Sequence, residues 1–279
     1  MSAEGQLDPE AWERLLEWHV AAGTSAVVVS GTTGESPTLS GAEYAELLSS
    51  AVEHVSGRIP VIAGTGSADT AATVEKTRLA ASLGADAALV VTPYYNRPPQ
   101  RGLVRHFLAV AESTALPIVL YNVPGRTGVD LLPESAAELA EHERIVGLKE
   151  AVGDEDRIRA LVESCAGRID ILSGDDPTAA RGMELGLGGV ISVAANVAPG
   201  PFARMCAAAA EGDFDEAGRI DRELRPLYEF LGAESNPIPA KWLLWRMGRI
   251  GSGIRLPLVP LSPEHHSTGE RIIGQLNLN

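Results

Sequence analysis

Two hydrophobic periods alternate along this chain. Short segments rich in apolar, often β-branched residues fall at 26–30, 61–64, 87–91, 118–121, 145–149, 169–173 and 190–193. Between them, apolar positions recur every three or four residues at roughly 9–22, 41–56, 69–83, 101–115, 133–141, 155–165, 176–185 and 199–211. Unbroken apolar runs suit strands buried on both faces, and their alternation with helical stretches predicts parallel β/α units. Helix punctuation agrees: Asp8 precedes Pro9 as an N-cap, Asp69 can cap the helix that follows it, and Gly23 and Gly84 stand where C-terminal glycines belong. After about residue 212 the strand runs stop, and 213–231 and 239–247 read as helices. The expected fold is α/β: a TIM (β/α)8 barrel over 1–212 followed by a C-terminal helical domain over 213–279. The pattern supplies seven strands where a closed barrel needs eight, and it opens on a helix. Either a first strand is missing from this chain or the sheet is open and doubly wound.

In such barrels the chemistry sits at the C-terminal ends of the strands. Here those ends carry Thr32, Thr33 and Glu35, then Thr65, Tyr94 and Tyr95, Tyr121 and Asn122, Lys149 and Glu150, Gly174 with Asp175 and Asp176, and Ser192. Lys149 follows an apolar run, so its stem is expected among apolar side chains. Desolvation there would free a neutral amine to attack a carbonyl, whereas a lysine that snorkels or pairs with Glu150 would be inert. Of 23 basic residues only Lys76, Lys149 and Lys241 are lysines, and the other two fall in helical stretches where a structural role is expected. Tyr121 could pass protons or be a rim aromatic. Arg126, in the following loop, could grip a carboxylate or be a solvated charge. The stretch Gly31 to Ser36 could offer N–H groups and hydroxyls to a carboxylate or be a tight turn; it lacks the Gly-Lys-Ser/Thr of a nucleotide loop. Tyr94 and Tyr95 also suit an exposed aromatic hook at a subunit contact.

Composition narrows the partners. With 279 residues, 45% of them hydrophobic, the chain can bury one large core, although length alone also allows two small domains. A formal charge of -14 opposes binding to nucleic acid or anionic lipid, which require clustered cations. Cys165 and Cys206 are far apart and lack ligand spacing, which predicts reduced thiols, with no zinc and no disulfide framework. Glu35, Glu150, Asp175 and Asp176 have no His at a ligand spacing and fall on separate strands, so no metal is expected. No run approaches the roughly 18 apolar residues of a membrane span, and no leader is evident, so a soluble, cytoplasmic protein is expected.

The stretches GTTGESPTLS (31–40), PVIAGTG (60–66), VTPYYNRPPQ (91–100), LYNVPGRTGVDLLPE (120–134), IVGLKEA (145–151), LSGDD (172–176), GVISVAANVAP (189–199) and NPIPAKW (236–242) together resemble the dihydrodipicolinate synthase family of pyruvate-dependent class I aldolases. They span nearly the whole chain in the family's order. The resemblance implies that Lys149 forms a Schiff base with pyruvate and that the resulting enamine adds to L-aspartate 4-semialdehyde. The implied product is 4-hydroxy-tetrahydrodipicolinate, an intermediate of lysine and diaminopimelate biosynthesis. It also implies that Tyr121 shuttles protons, that Thr32 links it to Tyr95 from a neighbouring subunit of a tight dimer, and that Thr33 and nearby N–H groups hold the pyruvate carboxylate. Arg126 would bind the semialdehyde carboxylate, with Gly174 and Ile191 lining the pocket. No cofactor is implied, and the assembly would be a homotetramer, a dimer of dimers. A sialic-acid or sugar-acid aldolase would use the same lysine and tyrosine, but Arg126 suits a small acidic aldehyde better than a polyol; a silent paralogue is the reading from another class. Two departures stand out. The family's first strand, apolar-apolar-x-Thr-Pro, falls before Met1, which suggests a start codon placed too late. Gly41, Ala68 and Ala72 occupy positions that are polar in lysine-inhibited members, while Ser36 and Tyr94 are retained, which predicts weak or absent inhibition by lysine.

Overall fold

The computed structural model describes residues 1–278. In chain order the elements are α1 (Pro9–Ala21), β1 (Val27–Val29), α2 (Gly41–Val55), β2 (Val61–Gly64), α3 (Thr70–Ser82), β3 (Ala87–Val91), α4 (Gln100–Glu112), β4 (Ile118–Asn122) and a short α5 (Pro124–Thr127). They continue with α6 (Pro133–Leu139), β5 (Ile145–Glu150), α7 (Glu155–Cys165), β6 (Asp170–Ser173), α8 (Ala179–Glu184), β7 (Gly189–Val190), α9 (Pro199–Ala210), α10 (Phe214–Leu231), α11 (Ile238–Arg246) and α12 (His266–Gln275). The expected α/β order is present: strands and helices alternate, and the chain beyond α9 is helical. Seven strands occur among the described residues, and α1 precedes the first of them.

The expected caps form. The Asp8 carboxylate accepts from the Ala11 N–H, the Asp69 carboxylate accepts from that of Ala72, and Gly23 and Gly84 adopt φ of 84° and 86°. Three differences have local causes. The last strand runs only over Gly189–Val190 rather than 190–193, because the Ser192 hydroxyl accepts from the Ala195 N–H at 2.8 Å and turns Val193 into the α region. The helix expected over 176–185 splits into a 3-10 turn at Asp176–Thr178 and α8, with Thr178 at ψ 0° between them. Helix α12 escaped the sequence reading because no side chain caps its start; it is held by burial of Gly269, Ile272 and Ile273.

The chain forms two compact units, Pro60–Ile191 and Met1–Ile59 together with the chain from Ser192 onward. In the Pro60–Ile191 unit, β2 to β7 are parallel, each paired with the next in sequence. Its interior contains Leu103, Phe107, Ile118, Leu120, Leu131, Leu139, Leu148 and Leu161, all fully buried. Strands covered on both faces need apolar residues at successive positions, which explains the continuous runs in the sequence. In the other unit α1 and β1 pack on α2, while α9, α11 and α12 pack on α10. There Trp242 stacks on His266 with centroids 5.0 Å apart and tilts against Phe230 at 6.1 Å. Among the described residues, no helix is long and apolar enough to cross a membrane.

Candidate active site

Tyr121 and Lys149 are register partners on β4 and β5, so both side chains leave the same face of the parallel ladder. The Lys149 Nζ lies 4.3 Å from the centroid of the Tyr121 ring. Lys149 is only 9% exposed, and this burial lowers its ammonium from the ordinary 10.5 to about 8. The Asp176 carboxylate opposes that shift, and the Arg126 guanidinium adds to it. An amine so placed is largely neutral at mildly alkaline pH, the form that attacks a carbonyl.

The rest of this strand-end cluster is built around the lysine stem. Gly174, just past β6, donates its N–H to the Glu150 carbonyl at 2.6 Å. A Cβ at Gly174 would come within 2.9 Å of Lys149 Cε, 3.1 Å of Lys149 Cγ and 3.1 Å of Ala151 Cβ, so the lysine occupies the room a side chain would need. Ile191, just past β7, donates its N–H to the Ser173 carbonyl at 2.9 Å. Arg126 is exposed on α5, where its charge reaches Lys149. Tyr95 is 93% exposed with φ 73°, a left-handed conformation costly for a residue with a large side chain. Its N–H reaches the Thr127 carbonyl at 3.4 Å.

In the other unit, Thr32 and Thr33 lie in a tight turn closed by the Gly34 N–H on the Gly31 carbonyl and the Glu35 N–H on the Thr32 carbonyl, both at 3.1 Å. The Asn236 amide donates to the Thr33 hydroxyl at 3.0 Å. Glu35, in the left-handed region at φ 55°, is buried against Lys241 and accepts the Arg255 N–H at 3.0 Å. Arg255 in turn pairs with Glu43, which completes a capping box with Ser40 at the start of α2. Lys241 is therefore structural, as its helical position suggested.

Residues 1–276 match the model of the Dihydrodipicolinate synthetase family. The chain belongs to this family. A 4-hydroxy-tetrahydrodipicolinate synthase of Stenotrophomonas maltophilia (strain R551-3) is 54% identical over 274 residues, 98% of this chain and 92% of that protein. The crystal structure of the chloride-inhibited dihydrodipicolinate synthase from Acinetobacter baumannii complexed with pyruvate superposes with a TM-score of 0.99 at 45% identity, covering 100% of this chain and 96% of that one. Dihydrodipicolinate synthase from Aquifex aeolicus gives a TM-score of 0.97 at 44% identity, covering 99% and 95%. The barrel-type α/β fold with C-terminal helices expected from the sequence is thus the fold of this chain.

Among the residues singled out for this dihydrodipicolinate synthetase family member, Lys149, Tyr121, Gly174 and Arg126 come together through the strand ends, and Ile191 closes the neighbouring strand. Two charged residues beside this cluster were not given their observed role by the sequence. Asp176, set aside as a weak metal candidate, is buried and acts electrostatically on Lys149. Arg157 was not singled out, yet it pairs with both Glu150 and Asp130 at 2.9 Å. A signal for it exists: it is a cation in the first turn of α7, where the helix dipole favours anions.

Proposed function

We propose that this chain is a 4-hydroxy-tetrahydrodipicolinate synthase that condenses pyruvate with L-aspartate 4-semialdehyde through a Schiff base on Lys149. The observation that carries this reading is the buried, deprotonation-prone Lys149 amine facing the Tyr121 ring. The neutral amine attacks the keto carbon of pyruvate, and loss of water gives an iminium. Loss of a methyl proton then yields the enamine, whose carbon attacks the aldehyde. The amino group of the adduct closes the ring on the imine carbon and expels Lys149, so that atoms balance and no redox partner is required. Tyr121 is assigned the proton transfers at the imine, since a phenol can both give and accept a proton. Family resemblance assigns Thr32 and Tyr95 to the same proton relay, Thr33 to the pyruvate carboxylate, Arg126 to the semialdehyde carboxylate, and Gly174 and Ile191 to the pocket lining. Tyr95 fits supply to a neighbouring subunit, because an aromatic held exposed in a strained conformation suits an interface. A cytoplasmic homotetramer is the assembly and location this reading implies.

Borohydride reduction in the presence of pyruvate, followed by peptide mapping, tests the central step. An adduct on Lys149 is expected; adduct elsewhere or none would remove the assignment. Supplying aspartate semialdehyde or N-acetylmannosamine as the second substrate then separates a synthase from a sugar-acid lyase. The rate of adduct formation should rise with pH and level off above about 8, because the reactive species is the unprotonated amine. A rate that still climbs steeply at about pH 9 without levelling off would contradict a lysine of lowered basicity.

Lysine should inhibit weakly or not at all, since Gly41, Ala68 and Ala72 offer no side-chain hydrogen bonds to a charged amino acid. Half-maximal inhibition at sub-millimolar lysine in a steady-state assay would refute this.

A further inference from the structure

Strand residues alternate between faces, so the residues that follow Tyr121 and Lys149 point away from them. Those residues are Asn122 and Glu150, again register partners. The Glu150 side chain is 1% exposed and would be an expensive isolated charge, but it is closely held. Its oxygens accept from Arg157 Nε at 2.9 Å, from the Val152 N–H at 2.8 Å and from Asn122 Nδ2 at 3.1 and 3.2 Å. The remaining nitrogens of the Arg157 fork donate to both oxygens of Asp130 at 2.9 Å and to the Leu131 carbonyl at 2.6 Å. Asn122 closes the circuit, donating to Asp130 at 2.7 Å while its own carbonyl accepts the Leu131 N–H at 2.9 Å. Arg157 is itself fixed by the Asp154 cap, which accepts its N–H at 2.9 Å.

We infer that Arg157, Glu150, Asn122 and Asp130 are positioning residues that lock the ends of β4 and β5 together and thereby hold Lys149 against Tyr121. The inference rests on the assignment of Lys149 as the nucleophile. Three features single this cluster out from an ordinary surface ion pair. Two of its members, Asn122 and Glu150, lie one residue beyond the reactive pair on the same two strands. Asn122 and Glu150 are buried and the Arg157 side chain is only 12% exposed, so the bonds among these three are little weakened by water, while Asp130 sits half-buried at the edge of the cluster. It places a guanidinium at a helix start, against the local electrostatic preference, which proteins tolerate mainly where a specific geometry is required. A fork able to serve Glu150, Asp130 and the Leu131 carbonyl together needs arginine, because an ammonium is a point donor.

The test compares Arg157→Met, Arg157→Lys and Glu150→Gln with the unaltered protein, using circular dichroism for folded fraction and borohydride trapping with pyruvate for the amine. Per folded molecule, kcat should fall roughly tenfold or more, because small misplacements of reacting groups have large effects on rate. KM for pyruvate should change much less. The midpoint of the pH profile for adduct formation should move upward as Lys149 gains freedom and water. Arg157→Lys restores the charge but not the fork and should recover only part of the loss. If Arg157→Met does not fold, the near-isosteric Glu150→Gln decides. Variants that keep the original kcat and pH midpoint, or lose activity only in proportion to folded fraction, overturn the inference. Failure of the unaltered protein to form any adduct on Lys149 would instead overturn the functional reading beneath it.

Discussion

Replacing Lys149 with methionine is expected to abolish turnover while leaving the fold intact. Methionine keeps an unbranched apolar stem of similar reach, so packing along Gly174 and the Tyr121 ring is preserved. The amine it removes is a buried group whose charged form is disfavoured by its surroundings, so Lys149→Met should unfold at the same temperature or higher. The chemistry has no substitute. Without an amine no iminium forms, and Tyr121 and Arg126 are left to act on an unactivated ketone. Loss of a covalent nucleophile costs on the order of a thousandfold or more in kcat. Steady-state turnover and mass analysis after borohydride treatment both report on it. Residual activity above about a tenth of the original, judged against that thousandfold scale, or a pyruvate adduct on another residue, would move the chemistry away from Lys149.

Gly174→Ala should produce the second largest effect, through geometry rather than chemistry. The new methyl would meet Lys149 Cε at 2.9 Å, Lys149 Cγ at 3.1 Å and Ala151 Cβ at 3.1 Å. The backbone cannot withdraw easily, because the Gly174 N–H is tied to the Glu150 carbonyl at 2.6 Å and Glu150 is tied to Arg157. The lysine stem must therefore shift. A displacement of about 1 Å in a reacting group costs on the order of 100-fold in rate. Overpacking a site of this kind destabilises by about 1–3 kcal/mol, so a lowered melting temperature should accompany the kinetic loss. Original kcat in Gly174→Ala would show that the space beside the lysine is not limiting.

Lys149 and Glu150 illustrate how unevenly the site could be read in advance. Lys149 is conspicuous because it ends an apolar run at a strand terminus and is one of three lysines. Its neighbour Glu150 offered itself as a possible partner for that lysine or as a weak metal candidate. In the structure it turns away and joins Arg157 and Asn122 instead. The reason is the two-residue period of the strand, which sends adjacent side chains to opposite faces. Asp176 was ambiguous for a related reason: nothing in LSGDD says which carboxylate is buried. Arg126 read as a loop cation and is exposed on a short helix that its loop did not predict.

What the sequence determined by itself is local in origin. The runs of successive apolar residues placed β2 and β3 to the residue and most other strands to within one or two, since burial on both faces leaves no polar alternation. Asp8 and Asp69 fixed their helix starts because a cap acts within three residues of itself. Family motifs supplied the expected roles of the remaining candidate residues. What only the tertiary structure decided is which distant residues meet. Pairing β4 with β5 sets Tyr121 opposite Lys149, and burial then shifts the amine toward its neutral form. Folding α7 back beside β5 delivers Arg157 to Glu150 and Asp130, 27 residues from the latter. Helix α12 depends wholly on such contacts, because without a side-chain cap its apolar face is held only by packing. These are properties of pairing register and desolvation, which arise between segments and leave no periodic trace along any one of them.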